Sequence, residues 1–524
     1  MLEGKNKMNK TISYNPATGN EIGESQLHTT DELVKMIAES RAAQVEWQKI
    51  PVKIRSKKIL KIKDYLVNNI DSLSQTISDD NGKVKFDALA TEIFPAIMAT
   101  KYYAKNASKI LKKKRIKGSS IVLINKRSFV HYVPYGVVGV ISPWNYPFAI
   151  PYSEVIMALI AGNGVILKTA TETQMVGIAL RDAINSGDLP KGLFQFINLP
   201  GKIAGEAFLK NGIDKLFFTG SVPVGKELMK LASDTLTPVS LELGGNDAML
   251  VCEDADIDRA VNGAVWAGFS NSGQSCGGVE RIYVHKLVYD EFLQKLKNVV
   301  RNLRVGNPND FNTDIGVMTT EKQLNTVNFH IDDALKNGAI LFAESKSEYN
   351  SKNILTPKVL TNVNHNMIMM KEETFGPIIG VIKVENMDEA IELANDSMLG
   401  LTGSVWSKNH KKAINLGSKI KAGAITINDH LMSHGLAETA WGGFKESGIG
   451  RAHGEQGFME MVQAQYIIND ILPGVKKNIW WHPYNADLYE GLKSIVHLFY
   501  GNNIKSRLNN LFKPIKVLPR MFQK

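Results

Sequence analysis

Short apolar runs with a strong β preference alternate with longer segments of helical spacing from Tyr132 onward. Strands that alternate with helices of this length form βαβ units, in which neighbouring strands run parallel. The runs predicted to be strands are Val137–Ser142, Val165–Lys168, Phe194–Ile197, Leu216–Thr219, Ser240–Leu243, Arg281–His285, Ile340–Phe342, Ile378–Lys383 and Ala424–Asn428. The alternation predicts an α/β fold built on parallel sheets.

The chain before this alternation has mainly helical periodicity. The segment that starts at Thr29 opens with Thr-Thr-Asp-Glu, a typical N-terminal cap, and carries apolar residues at helical intervals. The segments Leu60–Ile70 and Phe86–Lys105 have the same spacing. At roughly 100–200 residues per domain, the 524 residues correspond to about three or four structural units.

Composition excludes several classes of protein. Hydrophobic residues make up 44% of the chain and charged residues 22%, which is typical of a globular protein and not of a collagen-like, mucin-like or disordered one. The two cysteines, Cys252 and Cys276, are too few for a disulfide scaffold or a four-cysteine zinc site, and we predict no metal site. Neither an apolar signal segment nor a run of 18 apolar residues occurs, so we expect a cytoplasmic protein.

The net charge of +10 is concentrated near the C-terminus. Residues 471–524 contain nine Lys and Arg against Asp487 and Glu490, a net charge of +7, and a second basic cluster spans Lys109–Lys117. Such clusters bind nucleic acid or anionic lipid, but they also occur as solvated faces and subunit contacts. No RRM, zinc-finger or KH signature accompanies them, so we expect no nucleic-acid partner.

Cys276 has neighbours that suit a reactive cysteine. It lies in FSNSGQSCGG, where small residues leave room for a substrate carbon to approach sulfur and leave backbone N–H groups free to bind an oxyanion. Cys252 lies in the apolar run AMLVCEDAD and fits the alternative, a small core residue. The local pattern therefore makes Cys276 the candidate nucleophile.

Two further polar residues occur in or directly after predicted strands. In SLELGGN, Glu242 interrupts an apolar run, and a partly buried Glu has a raised pKa and can act as a general base. In VVGVISPWNYP, Asn145 follows a strand at the sheet edge where α/β proteins bind ligands, and its amide suits an oxyanion hole. The ordinary alternatives are a surface Glu on an edge strand and an aromatic turn.

The segment FFTGSVPVG reads as a strand, a G-x-x-x-x-G turn and the start of a helix. It matches neither the G-x-G-x-x-G dinucleotide fingerprint nor a Walker loop, so alone it is a weak dinucleotide signal. Anion binding at the N-terminus of the helix is still physically sensible.

Together these segments resemble the NAD(P)-dependent aldehyde dehydrogenase superfamily over residues 12–470. Cys276 lies 34 residues after Glu242, as the nucleophile and the base of that family do. The motifs that carry the resemblance are YNPATGNEIG (14–23), ISPWNYP (141–147), AGNGVILK (161–168), FTGSVPVG (218–225), LELGGN (241–246), NSGQSC (271–276), EETFGP (372–377) and WGGFKESGIGR (441–451). The run CGGVER, which starts at the cysteine, is similar to the CxGxER of a large bacterial-type group.

The resemblance implies a role for each catalytic candidate. Cys276 would attack the aldehyde carbon as a thiolate, and Asn145 with the Cys276 backbone N–H would bind the oxyanion. Glu242 would activate the water that hydrolyses the thioester, which implies a free carboxylic acid as product and not a CoA thioester. The intact set argues against the alternative of a catalytically dead cofactor-binding or structural protein.

The resemblance also implies an NAD(P) site. The residues expected to bind the cofactor are Trp144, Lys168, Thr171, Gly220, Ser221, Gly225, Glu373 and Phe375. The glycine turn with Ser221 would lie near the pyrophosphate, and Lys168 would reach the adenosine ribose. Glu373 would bind the nicotinamide ribose, and Phe375 would pack beside that ring.

The cofactor preference depends on Thr171. Many NAD-specific members carry Glu here, whose charge repels a 2′-phosphate, and Thr171 removes that repulsion. Because Glu172 can still turn toward the ribose, we expect use of both NAD and NADP, with NAD as the default. The chain differs from the usual family pattern at a second position, where Trp441 stands in place of the usual Phe. We expect this difference to change packing only.

The segments that would line the substrate pocket carry little positive charge. The expected lining residues are Tyr146, Ile150, Ser153, Phe269, Ser275, Gly277 and the loop His430 to Thr439. No Arg or Lys occurs in Tyr146–Ser153 or in the cysteine loop, so a clamp for a carboxylated substrate is not supported. A succinate-semialdehyde-type dehydrogenase is the alternative within the family.

The resemblance predicts a three-part α/β fold followed by a tail. A Rossmann-like NAD(P)-binding domain would comprise residues 1–116 and 134–240, an α/β catalytic domain 241–454, and a small β oligomerisation ribbon 117–133 and 455–470. Most family members are homodimers or homotetramers, so we expect a homo-oligomer.

Residues 471–524 would form a basic amphipathic C-terminal extension outside the common pattern. Leu488, Leu492 and Ile495 recur there at helical spacing. The apolar stripe either packs on the enzyme or a neighbouring subunit, which would bury Trp480 and Trp481, or gives peripheral contact with a membrane.

Overall fold

The computed structural model describes residues 10–511 and 513–522. The predicted domain 1–116 and the predicted extension 471–524 therefore include residues 1–9, 512, 523 and 524, which lie outside the described ranges.

The α/β prediction is confirmed, and each predicted strand is present with ends shifted by no more than two residues. The strands are Lys10–Tyr14 (β1), Glu21–Gln26 (β2), Lys114–Ile116 (β3), Lys126–Pro134 (β4), Val137–Ile141 (β5), Gly164–Lys168 (β6), Phe194–Phe196 (β7), Lys215–Thr219 (β8), Val239–Glu242 (β9), Asp247–Val251 (β10), Val279–His285 (β11), Ile340–Glu344 (β12), Lys358–Thr361 (β13), Ile378–Val384 (β14), Thr402–Trp406 (β15), Ala424–Ile427 (β16), Gly448–Ile449 (β17) and Val462–Asp470 (β18).

Most helices lie between these strands or in the N-terminal region after β2, and the last two follow β18. They are Thr30–Trp47 (α1), Val52–Asn68 (α2), Ile70–Asn81 (α3), Lys85–Ala88 (α4), Phe94–Ile110 (α5), Ala149–Ala161 (α6), Gln174–Asn185 (α7), Gly201–Lys210 (α8), Val222–Ala232 (α9), Ile257–Phe269 (α10), Tyr289–Arg301 (α11), Glu321–Lys336 (α12), Met387–Asn395 (α13), His410–Gly417 (α14), Met432–Gly435 (α15), Gly454–Glu460 (α16), Ala486–Tyr500 (α17) and Ile504–Asn509 (α18). Helix α1 begins with the predicted cap: Thr29 and Glu32 form a reciprocal capping box.

The chain divides into two compact units. The larger comprises Met1–Leu111 and Pro134–Gln463, and the smaller comprises Lys112–Val133 and Ala464–Lys524. The domain limits expected within these units, at residues 240 and 454, stay a prediction.

A six-stranded sheet in the larger unit has the order β17-β9-β8-β5-β6-β7. Strands β5 to β9 run parallel, and β5, β6 and β8 are buried along their whole length because their residues are apolar on both faces. The short β17 pairs antiparallel with β9 and sets Gly448 opposite Glu242. The carboxyl ends of β5, β8 and β9 therefore meet at one edge.

A seven-stranded sheet in the same unit has the order β12-β13-β14-β11-β10-β15-β16. It is parallel except for β12, which pairs antiparallel with β13. Helices α10 and α11 bury apolar residues against it, among them Val265, Phe292 and Leu296. Helix α10 leads directly into the segment that carries Cys276.

The smaller unit contains the three-stranded sheet β18-β4-β3 and the helices α17 and α18. Asp470 accepts hydrogen bonds from Asn125 and Lys126. Leu488 and Ile495 of α17 pack against Ile479, Val517 and Met521 in a small apolar cluster. None of the helices in the described ranges is both long and apolar enough to cross a membrane.

Candidate active site

Cys276 follows a sharply bent segment at the end of α10. Asn271, Ser272 and Gly273 all have positive φ, at 54°, 55° and 71°. Non-glycine residues adopt this conformation at a cost, and such strain is concentrated at functional sites. A Cβ atom on Gly273 would lie 2.2 Å from the Gly376 carbonyl oxygen, so glycine is required there.

The side chain of Cys276 lies where two cavities meet. One, of about 340 Å³, is lined mainly by apolar residues; the other, of about 370 Å³, is lined mainly by polar ones. Burial raises the pKa of the Cys276 thiol, and the carboxylates of Glu373, Asp247 and Glu242 raise it further. The thiol is therefore protonated at neutral pH, and it needs a base that takes its proton.

Glu242 provides a buried carboxylate at the carboxyl end of β9. Neither of its side-chain oxygens has a hydrogen-bond partner among the described residues. Burial raises its pKa well above the ordinary value, with a further rise from the Glu154 carboxylate. Gly442 leaves room for it, because a Cβ there would lie 2.9 Å from Glu242 Oε1.

Asn145 lies in the loop after β5 and lines the polar cavity beside Cys276. Its side-chain Nδ2 donates to the Gln274 carbonyl at 3.2 Å, and its Oδ1 has no partner among the described residues. Its backbone carbonyl accepts hydrogen bonds from Lys83 Nζ at 2.8 Å and from Asn271 Nδ2 at 2.9 Å. These contacts hold a neutral donor next to the sulfur.

A buried ion pair supports the Asn145 loop. Lys83 and Glu92 are both fully buried, with Nζ and Oε1 2.7 Å apart. The other oxygen of Glu92 accepts from the backbone N–H groups of Phe148 and Ala149, at 2.7 and 3.1 Å. The pair thus joins the start of α6 to the backbone of Asn145.

The polar cavity has the chemistry of a dinucleotide site. Ser221 precedes α9 and forms no side-chain cap, so the backbone N–H groups of Val222 and Val224 are available to an anion, while Pro223 between them has none. Gly245 N–H donates to Glu373 Oε1 at 3.1 Å, and a Cβ on Gly244 would lie 2.3 Å from Glu373 Oε2. A phosphate-binding helix end and a carboxylate that can accept from ribose hydroxyls fit NAD or NADP.

The predicted cofactor residues divide into two groups. Five of them line the polar cavity: Trp144, Gly220, Ser221, Glu373 and Phe375. The other three do not: Lys168 is buried with its Nζ near Gly201 at the start of α8, Thr171 lines a neighbouring cavity, and Gly225 packs against Leu243. Glu172 lines both the polar cavity and the neighbouring one.

The aromatic part of the polar cavity is a pair of rings. Trp144 and Phe375 meet edge to face, with centroids 5.4 Å apart. Phe375 has a positive φ of 56°, and its N–H and that of Thr374 donate to the buried Glu280. Glu280, the Glu of the CGGVER run, therefore sets the turn that carries Glu373 and Phe375, a role that the motif alone does not reveal.

The apolar cavity carries no charged side chain among the described lining residues. Of the expected lining residues, Tyr146, Ile150, Ser275, Gly277 and His434 line it, whereas the buried Ser153 and Phe269 do not. Burial lowers the pKa of His434 to about 4, so its imidazole is neutral. The lining not anticipated from sequence is Phe86, Ala90, Thr91, Phe94, Pro95, Met98, Trp266 and Trp441, so Trp441, which was expected to change packing only, also lines the cavity.

Most of these unanticipated residues, from Phe86 to Met98, come from a helical region that is remote in sequence from the cysteine, whereas Trp266 lies on α10 just before it. The exposed apolar side chains Phe86 and Phe94, on helices of otherwise polar surface, are the one available signal. Asp87 accepts hydrogen bonds from Asn271 N–H and Ser270 Oγ. The sequence alone does not distinguish it from an acidic residue on the surface.

Comparison with protein families matches residues 3–467 to the model of the aldehyde dehydrogenase family. A 4,4′-diapolycopene aldehyde oxidase from a Methylomonas species is 37% identical over 498 residues, which cover 95% of this chain and 92% of that protein. A protein of Mycolicibacterium smegmatis, provisionally named succinate-semialdehyde dehydrogenase [NADP(+)], is 35% identical over 86% of this chain and 87% of its own length.

Solved structures have the same fold. An aldehyde dehydrogenase from Brucella melitensis biovar abortus superimposes with a TM-score of 0.84 at 32% identity, covering 88% of this chain and 94% of that one. A betaine aldehyde dehydrogenase from Staphylococcus aureus, solved with NAD+, gives a TM-score of 0.84 at 29% identity, covering 91% and 94%.

Proposed function

Because the chain belongs to the aldehyde dehydrogenase family, we propose that Cys276, Glu242 and Asn145 are the groups that carry its reaction. The protein is an oxidoreductase that acts on aldehydes with NAD or NADP. The observation that carries the proposal is the position of Cys276 between an apolar and a polar cavity, with the unpartnered Glu242 carboxylate lining the polar one.

Acylation begins with the sulfur of Cys276. Because its pKa is raised, the thiol gives its proton to a base as Sγ bonds to the aldehyde carbon, and Glu242 is the carboxylate placed to take it. The oxygen of the adduct gains negative charge, and Asn145 Nδ2 with the Cys276 backbone N–H stabilises it. Loss of one such donor typically costs about 10²–10³ in rate.

Deacylation depends on Glu242 as well. Bound NAD or NADP supplies the two-electron acceptor, and oxidation of the adduct leaves a thioester on Cys276. Once Glu242 has released the thiol proton to solvent, its carboxylate takes a proton from the water that attacks the thioester carbon. A carboxylate whose pKa is raised by burial is suited to this work near neutral pH.

The groups proposed to hold the cofactor are those that line the polar cavity. The start of α9 with Ser221 would bind the pyrophosphate, Glu373 would accept from ribose hydroxyls, and the Trp144 and Phe375 rings would contact the nicotinamide end. Lys168, Thr171 and Gly225 do not line this cavity, and we keep them as proposed cofactor-binding residues at its periphery. With Thr171 uncharged and Glu172 on the cavity edge, both cofactors are accepted, with NAD as the default.

We assign the substrate to the class of apolar aldehydes. The cavity that leads to Cys276 offers aromatic, Met and Leu side chains and, among its described lining residues, no cation to pair with a carboxylate. The similarity to a 4,4′-diapolycopene aldehyde oxidase supports this class. The similarity to proteins provisionally named succinate-semialdehyde dehydrogenases keeps a carboxylated substrate as the second candidate.

A panel of aldehydes tests the assignment. Straight-chain aldehydes of increasing length, aromatic aldehydes and ω-carboxy aldehydes are compared by kcat/KM with each cofactor. We expect kcat/KM to rise with apolar length and to be low for ω-carboxy substrates. A preference for succinate semialdehyde would replace the apolar class by the second candidate.

We also propose a homodimer or homotetramer in the cytoplasm, with peripheral membrane contact through the C-terminal extension. The edge strand β18 supports an oligomer, because its residues after Val462 are exposed in the single chain. Membrane contact is supported by the exposed Trp480 and Trp481 in a segment of net charge +7. Light scattering tests the first proposal, and vesicle binding tests the second.

A further inference from the structure

The loop between β3 and β4 exposes apolar side chains on a short, ordered turn. Ile121–Leu123 form one 3₁₀ turn, and Ser120 Oγ caps it by accepting from the backbone N–H of Val122 at 3.3 Å. Ile121 is 63% exposed and Ile124 is 71% exposed. Isoleucine is among the residue types most often buried, and an exposed apolar patch that is rimmed by polar residues marks a contact surface.

Contacts within the smaller unit hold this loop in place. The Tyr500 hydroxyl donates to Ser120 Oγ at 2.8 Å. Asn125 Nδ2 donates to both carboxylate oxygens of Asp470 at 3.0 Å. Val122 packs against the small apolar cluster around α17. The loop is therefore anchored through Val122, and its two isoleucines stay exposed on a fixed backbone.

The strands on either side of the loop are strongly basic. Residues 112–133 contain seven Lys and Arg and no Asp or Glu. Arg115 of β3 lies opposite Phe129 of β4, and Arg127 shares the face of Phe129 because side chains alternate along a strand. Lys113 Nζ lies 4.2 Å from the centre of the same ring. Arg115 and Arg127 are exposed and form no ion pair with any described residue, so this face of the sheet presents positive charge that is not neutralised.

The smaller unit carries the whole excess of positive charge. It contains 16 Lys and Arg and three acidic residues, a net charge of +13, whereas the chain as a whole has +10. The larger unit therefore has a net charge of −3. A second copy of the smaller unit would bring like charge to this surface, whereas a bilayer of anionic lipid has the complementary charge. Nucleic acid has that charge as well, but it has no apolar phase that takes up two isoleucines.

We propose that the loop Gly118–Ile124 inserts into the interface of an anionic bilayer, where Ile121 and Ile124 enter the acyl region and the bases of β3 and β4 bind lipid phosphates. The proposal rests on the peripheral membrane contact proposed above and adds to it a segment outside the C-terminal extension. Apolar contact and electrostatic attraction add in such binding, so both the lipid charge and the two isoleucines contribute. Because apolar aldehydes partition into bilayers, this contact would bring the enzyme to the substrate class proposed above.

The first test measures the binding of the full-length protein to vesicles. Ile121→Ser with Ile124→Ser is compared with the wild type by sedimentation with vesicles of phosphatidylcholine and phosphatidylserine at low salt. We expect the partition coefficient to fall about tenfold, because two isoleucines no longer enter the apolar phase. Leu287→Ser with Ile414→Ser is the matched control: it removes two aliphatic side chains of the larger unit that are 73% and 61% exposed, and binding should be unchanged.

Arg115→Gln with Arg127→Gln tests the basic face of the sheet. Each basic residue near an anionic surface strengthens binding about fivefold, so we expect a loss of about 20-fold and a weaker dependence of binding on salt. Arg301→Gln with Lys336→Gln is the control, because both residues are exposed on the larger unit and form no ion pair with a described residue. All these side chains are exposed, so Tm and the oxidation of a water-soluble aldehyde should be unchanged.

A fluorescent label distinguishes insertion from contact with another chain. In a protein that carries Cys252→Ala and Cys276→Ala, an NBD label is attached after Ile124→Cys or, as control, after Ile414→Cys. We expect anionic vesicles to shift the emission of the label at position 124 to shorter wavelength and to leave that at 414 unchanged. A shift without lipid that grows with protein concentration would show a second copy at the loop and overturn the proposal.

The two membrane proposals fail in different ways. If the wild type ignores anionic vesicles at low salt, both are wrong. If the loop variants bind vesicles like the wild type while Trp480→Ser with Trp481→Ser does not bind, the loop proposal is wrong and contact through the extension remains. Binding to a labelled DNA duplex in place of vesicles, unaffected by loss of the isoleucines, would make this face a nucleic-acid surface and also overturn the loop proposal.

Discussion

The sulfur of Cys276 begins its reaction from an unfavourable protonation state. Burial and three nearby carboxylates raise its pKa, whereas reactive cysteines commonly have a lowered one. The Glu242 carboxylate, which lines the same polar cavity, is the proposed acceptor of the thiol proton. Because the thiol must lose its proton to react, the rate of acylation should increase as pH rises.

Cys276→Ala should abolish aldehyde oxidation while the cofactor still binds. The loss should reach about 10⁴-fold or more, which is typical when a covalent nucleophile is removed. The polar cavity keeps its other lining residues, so the affinity for NAD, measured by fluorescence titration, should be nearly unchanged. Cys252→Ala is the control, because Cys252 is buried and lines neither active-site cavity. Turnover in Cys276→Ala would contradict the assignment.

Lys83→Met should destabilise the protein and slow its chemistry. It leaves the Glu92 carboxylate buried without its partner, and breaking such a pair typically costs about 3–5 kcal/mol. It also removes a contact to the backbone of Asn145. Urea unfolding and kcat are the measurements. The double variant Lys83→Met with Glu92→Gln should recover much of the free energy of unfolding, because Glu92 then leaves no unpaired charge; no recovery would mean that the ion pair is not the cause.

Among the secondary-structure elements, the carboxyl ends of the parallel strands position the side chains of the site. Strands β5, β8 and β9 present Asn145, Ser221 and Glu242 at or just beyond their carboxyl ends, as expected for a parallel sheet. Two segments later in the chain complete the site: the bend before Cys276 and the antiparallel strand β17. Gly442, which precedes β17, lies against Glu242.

Gly442→Ala should reduce deacylation by displacing Glu242. The glycine has a φ of 147°, and an added Cβ would lie 2.9 Å from Glu242 Oε1 and 2.8 Å from Arg451 Cδ. Displacement of a catalytic group by about 1 Å can cost roughly 10²-fold. We expect steady-state kcat to fall while the NADH burst remains.

Gly212→Ala is the control for this change. Gly212 also has a positive φ, 86°, but a Cβ there would meet no heavy atom within 4 Å. It should lower Tm through backbone strain without altering kcat. Equal effects of both substitutions on kcat would show that strain alone, and not Glu242, is responsible.

At the scale of the whole molecule, the smaller unit carries a large apolar surface. Trp480 is 39% exposed and Trp481 51% exposed, and Ile504, Leu508 and Tyr489 are exposed as well. The single chain leaves both tryptophans partly exposed, so burial by a neighbouring subunit and contact with a membrane both stay predictions. Leu488 and Ile495 pack in the small cluster with Ile479, Val517 and Met521, and the exposed residues are not part of it.

Trp480→Ser with Trp481→Ser should weaken binding to anionic vesicles. Each basic residue near such a surface contributes about 1 kcal/mol, and the tryptophans add apolar contact at the interface. Sedimentation with phosphatidylserine-containing vesicles at low salt should lose several-fold in bound fraction. Phe329→Ser, which removes an exposed aromatic residue of the larger unit, should leave binding unchanged. If the wild type does not sediment with vesicles and the tryptophan variant changes only oligomer size, the surface is a subunit contact.

The alternation of strands and helices could be predicted from the sequence, because parallel strands that are buried on both faces occur as short apolar runs. For the same reason Cys276, Glu242 and Asn145 could be singled out: each is a polar residue where an apolar run ends or is interrupted. The family resemblance rested on such local motifs, and the family match confirms it. The roles of the individual site residues stay predictions.

Tertiary structure decided which remote residues meet. Lys83 with Glu92 and Glu154 with Glu242 come together only in the folded chain, so no local pattern distinguishes them from surface charges. The motif that contains Glu280 does not reveal that this side chain binds the 374–375 backbone. Lys168 and Thr171 were expected on the cofactor surface from their place in a motif, yet they do not line the polar cavity. The sequence by itself determined the order of elements and the chemistry at strand ends, because both depend on neighbouring residues; the desolvation and partnering of each charge depend on the whole fold.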